Sequence, residues 1–285
     1  MNYAYAKYHA LGNDYIVIDP KYNSIKLTPG NIKLVCHRNF GIGSDGILYG
    51  PIFEDNTVKL RIFNPDGSEA EKSGNGIRIF ARYLFDNGYV NTKITRLSTL
   101  GGNVQVEYLD SNGHIIKVDM GRATFTSTKI PVNGKEREVI DEPLEVGNTS
   151  YNVTCVSIGN PHCVIPMIDI SKEKVLNIGP RIENHKNFPN RINVQLLKVL
   201  SRHDIQIEIW ERGAGYTMAS GSSSCAAAIA ANRLGLVDNN INVHMPGGII
   251  QIEIDDEVHM TGSVNSIAIG NFTEQFINEM QSYHN

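Results

Sequence analysis

Two segments of similar design, placed about half the chain apart, restrict the fold more than any other feature of the sequence. The first covers Asn64–Gly76 and the second covers Glu211–Ser224. An alternating, strand-like pattern precedes each segment, at Val58–Phe63 and at Ile205–Trp210, and a helical pattern follows each. We therefore predict an internal duplication in which each half of the chain carries a Gly-rich strand-to-helix turn.

A Ser-Gly pair stands at the predicted helix start of both copies, Ser73-Gly74 in the first and Ser220-Gly221 in the second. N–H groups in the first turn of a helix lack intrahelical partners and lie at the positive end of the helix dipole, so they favour an anion such as a carboxylate. Two such turns could hold one small carboxylate, which suits removal of a proton from one face of the neighbouring carbon and its return to the other. Either copy alone is better explained as an ordinary strand-turn-helix connection, but the presence of both favours a site.

Many short strands with one clear helix in each half predict an α/β (α+β) fold. We expect two pseudo-symmetric domains, each a curled mixed sheet around a central helix, formed by residues 1–121 plus 266–285 and by residues 122–265. The helix of the first copy is expected from about Gly76 to Asn87. The helix of the second copy has five alanines between Ala226 and Ala231, which suits tight burial.

The remaining pattern predicts further elements. Near the start of the chain it predicts two strands within Tyr3–Asp19 and a helix from the N-cap residue Thr28 to about Arg38. In the second half it predicts a strand near Glu136–Ile140 and a helix around Ile178–His185.

The composition excludes several classes of function. The 285 residues carry a net charge of −4 without a basic run, which argues against a nucleic-acid partner. No window approaches the ~18 apolar residues of a membrane span, and Met1–Lys7 lacks the features of a signal peptide, so we expect a cytoplasmic protein without a membrane partner. The four cysteines show no C-x-x-C spacing, so we expect buried free thiols and no metal site: Cys36, Cys155, Cys163 and Cys225.

Several separate segments, in the same order, resemble the diaminopimelate epimerase family. These segments are His9–Asp14, Asn64–Gly76, Gly159–His162, Arg191–Asn193, Glu211–Gly215 and Pro246–Gly248. The resemblance covers nearly the whole chain and implies an enzyme without a cofactor that interconverts the LL and meso forms of a small-molecule diamino diacid in lysine and cell-wall synthesis. It also implies two pseudo-symmetric α/β domains with the active site in the cleft between them, and a homodimer.

The resemblance also assigns residues to the site. The family recognises the non-reacting end of its substrate with asparagines, a glutamate and an arginine. Those residue types stand here at Asn13, Asn64, Asn160, Asn193, Glu211 and Arg212. By carry-over, Arg212 and the asparagines hold the distal carboxylate, and Glu211 accepts from the distal ammonium.

The resemblance places the reacting end at the two Ser-Gly turns. The backbone of Gly74-Asn75 and of Gly221-Ser222 would hold the reacting carboxylate. His162 matches a histidine that helps to set the protonation of the catalytic pair; without the resemblance it would be interpreted as structural.

The two catalytic positions depart from the family pattern, because Ser73 and Ser220 stand where the family has cysteines. A thiol ionises at about pH 8.5, whereas a hydroxyl lies closer to the ~15.7 of water. If a gap of about 5 pKa units stayed uncompensated, the barrier would rise by about 7 kcal/mol, or on the order of 10⁵ in rate. An active enzyme would need serines activated by neighbours such as His162 and Glu211.

Four other positions also depart from the family pattern. Ser223 and Ser224 stand where Gly and Ala are more common, Tyr216 stands where Glu is common, and Gly46 stands where many members have Gln. A deliberate exchange of the two cysteines alone would leave these positions unchanged.

Three functions follow from the sequence. The leading one is epimerisation of LL- and meso-diaminopimelate with Ser73 and Ser220 as the acid/base residues. The second is a lyase that dehydrates a hydroxy amino acid, which needs only one base. The third is a catalytically silent protein that binds the diamino diacid. A serine hydrolase is disfavoured, because no Gly-x-Ser-x-Gly pattern surrounds Ser220.

Overall fold

The computed structural model describes residues 4–54 and 57–282. These residues form two compact units, one drawn from Met1–Val118 and Gly262–Asn285 and the other from Asp119–Thr261. Residues Met1–Tyr3, which include the start of the first predicted strand and part of the segment assessed for a signal peptide, lie outside the described residues.

In the described part of the chain, the first unit contains eight strands and two helices before the chain enters the second unit. Its strands are β1 Ala4–Ala10, β2 Asn13–Ile18, β3 Ile47–Glu54, β4 Thr57–Phe63, β5 Glu69–Ala70, β6 Ile94–Thr99, β7 Gly102–Tyr108 and β8 Ile115–Gly121. Its helices are α1 Pro29–Cys36 and α2 Gly74–Asp86. As predicted, Thr28 caps α1, because its side chain accepts a hydrogen bond from the Asn31 N–H at 3.2 Å.

The second unit follows, and the chain then returns to the first. The strands of the second unit are β9 Glu142–Val146, β10 Thr149–Ser157, β11 Pro161–Pro166, β12 Asn193–Val199, β13 Asp204–Glu211, β14 Gly215–Thr217, β15 Asn240–Met245, β16 Gly248–Ile254 and β17 Val258–Ser263. Its α-helices are α3 Lys172–Glu183 and α4 Gly221–Arg233. The returning segment forms β18 Asn265–Asn271, which pairs with β1, and α5 Glu274–Ser282.

The pairing of strands follows the same pattern in both units. In the first, β1–β2 is antiparallel, β2–β3 parallel, β3–β4 antiparallel, β4–β6 parallel, and β6–β7 and β7–β8 antiparallel. In the second, β10–β11 is antiparallel, β11–β12 parallel, β12–β13 antiparallel, β13–β15 parallel, and β15–β16 and β16–β17 antiparallel. A helix spans each parallel crossover: α1 and α2 in the first unit, α3 and α4 in the second. The predicted duplication and fold class are confirmed.

The helix after each Ser-Gly pair lies in the core of its unit. One apolar face of α2 is fully buried and consists of Ile77, Phe80, Ala81 and Leu84. The five alanines of α4 are also fully buried, and α4 packs against β10, β11, β12, β13, β15 and β16. Small side chains allow strands to approach this helix from several sides, so the burial predicted from its alanines is confirmed.

Several predicted elements were wrong in position. The expected strand at Glu136–Ile140 is only an isolated bridge at Glu138, because Asp141 has a left-handed φ of 51° that turns the chain before β9 begins. Helix α3 begins six residues before the predicted Ile178, at a cap where Ser171 accepts from the Lys174 N–H at 3.3 Å. Helix α5 was not predicted.

Two broader expectations concern the whole chain. The four cysteines are free and buried, as predicted. Within residues 4–54 and 57–282, no helix combines the length and apolar character needed to cross a membrane.

Candidate active site

In the first unit, Ser73 lies between a tight turn and a buried helix. After β4, the turn closes through hydrogen bonds from the Asn64 N–H to the Ser68 carbonyl at 2.8 Å and from the Gly67 N–H to the Asn64 carbonyl at 3.0 Å. Ser73 is the N-cap residue of α2, and its Oγ accepts from the Gly76 N–H at 3.1 Å. The half-buried Ser73 hydroxyl therefore lies at the positive end of the α2 dipole.

Asn75 and Asn13 belong to one chain of hydrogen bonds. The Arg78 guanidinium donates to Asn75 Oδ1 at 2.8 Å, Asn75 Nδ2 donates to Asn13 Oδ1 at 2.9 Å, and Asn13 Nδ2 donates to Asp45 Oδ2 at 2.9 Å. A guanidinium can only donate and an ionised carboxylate can only accept. Arg78 and Asp45, at the two ends of this series of hydrogen bonds, therefore fix the orientation of the Asn75 and Asn13 amides.

Charged residues surround Asp45, the carboxylate at one end of this series of hydrogen bonds. Arg38 Nη2 contacts Asp14 Oδ1 at 2.9 Å and Asp45 Oδ1 at 2.6 Å, and Lys7 Nζ lies 3.0 Å from Asp14 Oδ2. Burial alone would raise the pKa of Asp14, but hydrogen bonds from Arg38 and Lys7 outweigh it and hold that pKa below its ordinary value. The Asp14 carboxylate thus stays charged and keeps Arg38 beside Asp45.

In the second unit, Ser220 is the N-cap residue of α4 and is buried. Its Oγ accepts from the Ser223 N–H at 3.4 Å. The two extra serines of this helix are accommodated by partners: Ser223 Oγ accepts from Gln195 Nε2 at 3.0 Å, and Ser224 Oγ donates to the Ser220 carbonyl at 2.8 Å. Since both buried hydroxyls are hydrogen-bonded, they fit the helix without an unpaired polar group.

His162 lies next to this helix start. Its Nε2 is 2.9 Å from Asn160 Oδ1, and Asn160 Nδ2 donates to Ser222 Oγ at 3.4 Å. Complete burial lowers the pKa of His162 to about 3, the neighbouring Gln195 side chain partly opposes this shift, and the nearby Arg212 charge adds to it. His162 is therefore a neutral imidazole near pH 7 and not a fixed positive charge.

The turn after β13 carries Arg212, and hydrogen bonds to Asn193 and Glu183 stabilise it. Asn193 accepts from the Arg212 N–H at 2.9 Å and donates to the Pro161 carbonyl at 2.8 Å. The buried carboxylate of Glu183 accepts from the Trp210 indole at 2.7 Å and from the Gly213 N–H at 2.9 Å. These bonds fix the backbone of the turn, while the Arg212 side chain is exposed.

Within each unit, the structure brings most of the predicted site residues together. In the first unit, Ser73 and Gly74 begin the helix that carries Asn75, which contacts Asn13. The Asn64 side chain instead donates to Ser68 Oγ within its own turn at 3.0 Å.

In the second unit, one group contains Asn160, His162, Ser220, Gly221 and Ser222, and Asn193 contacts the backbone of Arg212. Glu211 ends β13 and pairs with Gly215.

The sequence did not point to several residues that support these groups: Tyr15, Asp45, Arg78, Glu183 and Gln195. Tyr15, Asp45, Glu183 and Gln195 act across long sequence separations, whereas Arg78 contacts Asn75 three residues before it on the same helix. For Arg78 a signal was present, since a charged residue on the buried face of a predicted helix calls for a partner. Among the described residues, no group of three or more His, Cys, Asp or Glu side chains is placed to hold a metal ion.

Comparison with known proteins gives a consistent result over most of the chain. A family model described as diaminopimelate epimerase matches residues 5–126 and 154–267. Diaminopimelate epimerase 2 of Nostoc sp. (strain PCC 7120 / SAG 25.82 / UTEX 2576) is 55% identical over 272 residues, covering 94% of this chain and 95% of that protein. Diaminopimelate epimerase 1 of the same strain is 40% identical and covers 93% of this chain and 98% of that protein.

Solved structures with little sequence identity share the fold. A probable proline racemase from Agrobacterium radiobacter K84 matches with a TM-score of 0.72 at 12% identity, covering 96% of this chain and 93% of that one. A phenazine biosynthesis protein of the PhzF family from Enterococcus faecalis matches with a TM-score of 0.67 at 15% identity, covering 96% of this chain and 100% of that one.

Proposed function

The chain belongs to the diaminopimelate epimerase family, and on that premise we propose that it interconverts LL- and meso-diaminopimelate without a cofactor. The reaction is a two-base proton transfer at the α-carbon, with Ser73 and Ser220 as the acid/base residues. The observation that carries the proposal is the serine hydroxyl at the N-cap of a buried helix in each of the two units. A helix N-terminus binds the carboxylate next to the α-carbon and stabilises the negative charge that develops when the proton leaves.

The recognition of the substrate rests on the polar groups around these helix starts. Asn13 and Asn75 are oriented by the chain from Arg78 to Asp45, and Asn160 and Ser222 lie together beside His162. We propose that the exposed Arg212 side chain binds the distal carboxylate, that Glu211 accepts from the distal ammonium, and that Asn64 and Asn193 complete the set. We further propose that His162, a neutral imidazole near pH 7, helps to set the protonation of the catalytic pair, as the family resemblance implies.

The direct test is NMR of LL-diaminopimelate with the protein in heavy water. We expect deuterium to enter the α-position and the meso isomer to appear, and we expect the Ser73→Ala, Ser220→Ala double variant to lose both. A keto product with loss of water would identify the lyase instead. Binding without any α-exchange would identify the silent binding protein and overturn the proposed activity.

Substrate recognition has its own test. Arg212→Ala should weaken binding of LL-diaminopimelate by about 2–5 kcal/mol, because the distal carboxylate is left unpaired. Arg202→Ala is the matched control: Arg202 is also an exposed arginine of the second unit and pairs with Asp238. Equal affinities of the two variants would remove Arg212 from the recognition set.

We also propose that the protein is a cytoplasmic homodimer. Strand β18 exposes apolar side chains, with Ile267 50% and Ile269 78% accessible, and such a surface supports self-association. Sedimentation equilibrium should give twice the chain mass for the wild type and a smaller mass for Ile269→Asp. A monomeric wild-type protein would contradict the proposal. Cell fractionation tests the location.

A further inference from the structure

We infer that Tyr15 exchanges a proton with Ser73 during the reaction, so that a Tyr–Ser pair supplies the basic group on this side of the site. The inference rests on the proposed function. Tyr15 lies in β2 and is 7% exposed, and its hydroxyl is 3.2 Å from Ser73 Oγ. Catalytic hydrogen bonds are often this long without substrate and shorten when substrate binds.

Gly46 provides the space for the Tyr15 ring. A Cβ atom added at Gly46 would lie 2.7 Å from Cε1 of the Tyr15 ring and 2.5 Å from the Phe63 carbonyl oxygen. Both distances are shorter than side chains permit. A larger residue at this position would therefore require the Tyr15 ring or the Phe63 backbone to shift, and glycine leaves the ring the space that it occupies beside Ser73.

The hydrogen bonds of Ser73 leave room for a relay. A serine hydroxyl donates one hydrogen bond and accepts two. One acceptor position of Ser73 Oγ is used by the Gly76 N–H at 3.1 Å. If the hydroxyl donates to the Tyr15 oxygen, one lone pair remains, and this lone pair can receive the α-proton.

The proton transfer balances as follows. The Tyr15 phenolate takes the hydroxyl proton of Ser73 while Ser73 Oγ takes the α-proton of the substrate. The α-carbon retains the electron pair of the broken C–H bond, and the negative charge passes from Tyr15 to the substrate. In the opposite direction, the Tyr15 phenol gives its proton to Ser73 as Ser73 protonates the α-carbon.

A phenol removes most of the disadvantage of serine. Tyrosine ionises near pH 10, about 5 to 6 units below the ~15.7 of a water-like hydroxyl and about 1.5 above a thiol. Forming a phenolate instead of an alkoxide raises the population of the basic species by on the order of 10⁵. The relay thus lets Ser73 act as a base without ionising first.

Several charged and titratable groups on the neighbouring elements have partners of their own. Asp14, beside Tyr15 on β2, pairs with Lys7. Tyr8, opposite Tyr15 on β1, donates to Asp86 at 3.0 Å. On α2, Arg78 donates to Asn75, and Tyr83 donates to Asp19 at 2.9 Å; Tyr49 lies further along β3.

The first experiment compares rates of α-deuterium incorporation. Tyr15→Phe keeps the ring and removes the hydroxyl, so we expect a loss of about 10²-fold or more. Tyr108→Phe is the matched control, since it removes another buried hydroxyl, which donates to the Ala81 carbonyl on α2 at 2.7 Å. Adding Tyr15→Phe to Ser73→Ala should cost nothing further, because the relay is already broken.

The pH profile distinguishes proton transfer from a packing effect. The wild-type rate should rise about tenfold per pH unit between pH 7 and 9 as the phenolate forms, and the Tyr15→Phe rate should not. Equal rates and equal pH profiles for the wild type and Tyr15→Phe would overturn the inference while leaving the epimerase proposal intact. Absence of α-exchange in the wild type would overturn the proposed function, and the inference with it.

A measurement without turnover tests the contact itself. The ¹³Cζ NMR signal of Tyr15 should change in Ser73→Ala, because the phenol loses its hydrogen-bond partner. An unchanged signal and an unchanged titration of Tyr15 would overturn the inference.

Discussion

Acid should destabilise the second unit through His162, and replacing this histidine should remove that effect. The folded pKa of His162 is lowered from 6.5 to about 3, chiefly by burial. Between these pH values the unfolded chain binds a proton that the folded chain excludes. Stability is therefore fully present above about pH 6.5 and is lost progressively as the pH falls towards 3.

The size of the effect follows from the two pKa values. At pH 5, the unfolded histidine is almost fully protonated and the folded one is almost fully neutral. The difference between pH 7.5 and pH 5 is worth about 2 kcal/mol, taking about 1.4 kcal/mol for each pKa unit. His162→Gln cannot take up this proton. Its stability should consequently fall by about 2 kcal/mol less than that of the wild type over the same range.

Urea unfolding followed by tryptophan fluorescence measures this difference. Trp210 is the single tryptophan of the chain and lies in the same unit as His162. His203→Gln serves as the control, because the side chain of His203 is 64% exposed. If the wild type and His162→Gln lose stability in parallel between pH 7.5 and pH 5, the burial argument for His162 is wrong.

Three further predictions concern the supports of the site. Glu183→Gln should cost about 1–3 kcal/mol, because one of the two donors to this buried side chain loses its acceptor, and it should weaken binding of LL-diaminopimelate; urea unfolding and calorimetry measure the two effects. Ser220→Cys should raise the rate of epimerisation by at least about 10²-fold, as measured by α-deuterium incorporation, because a thiol ionises more readily than a hydroxyl. Among the described residues of its own unit, Ser220 Oγ is hydrogen-bonded only to the Ser223 N–H, so it lacks a phenol partner like that of Ser73. Ala228→Leu should cost about 1–3 kcal/mol by overpacking the fully buried face of α4, whereas Leu176→Ala, at a 43% exposed position, should cost little.

The positions of the two helix starts could be predicted because their signals are local. A serine that accepts from an N–H three residues ahead sets the first turn of α2 and of α4, and the glycine turn before it ends the preceding strand. The same local signal was missed for α3, which begins at Lys172 after the N-cap residue Ser171, six residues before the predicted Ile178. It also failed at Glu136–Ile140, where Asp141 interrupts the extended chain before β9.

By itself, the sequence determined the duplication, the fold class and the place of each serine, because hydrophobic period, capping and turn chemistry act over a few neighbouring residues. Only the tertiary structure decided which distant side chains contact those serines and the helix starts around them. Tyr15 meets Ser73 across 58 positions and Asn13 meets Asn75 across 62, through the register of β2 and its packing against α2. Such contacts depend on how a strand packs against a helix that is distant in the sequence. A pattern of neighbouring residues cannot predict this packing.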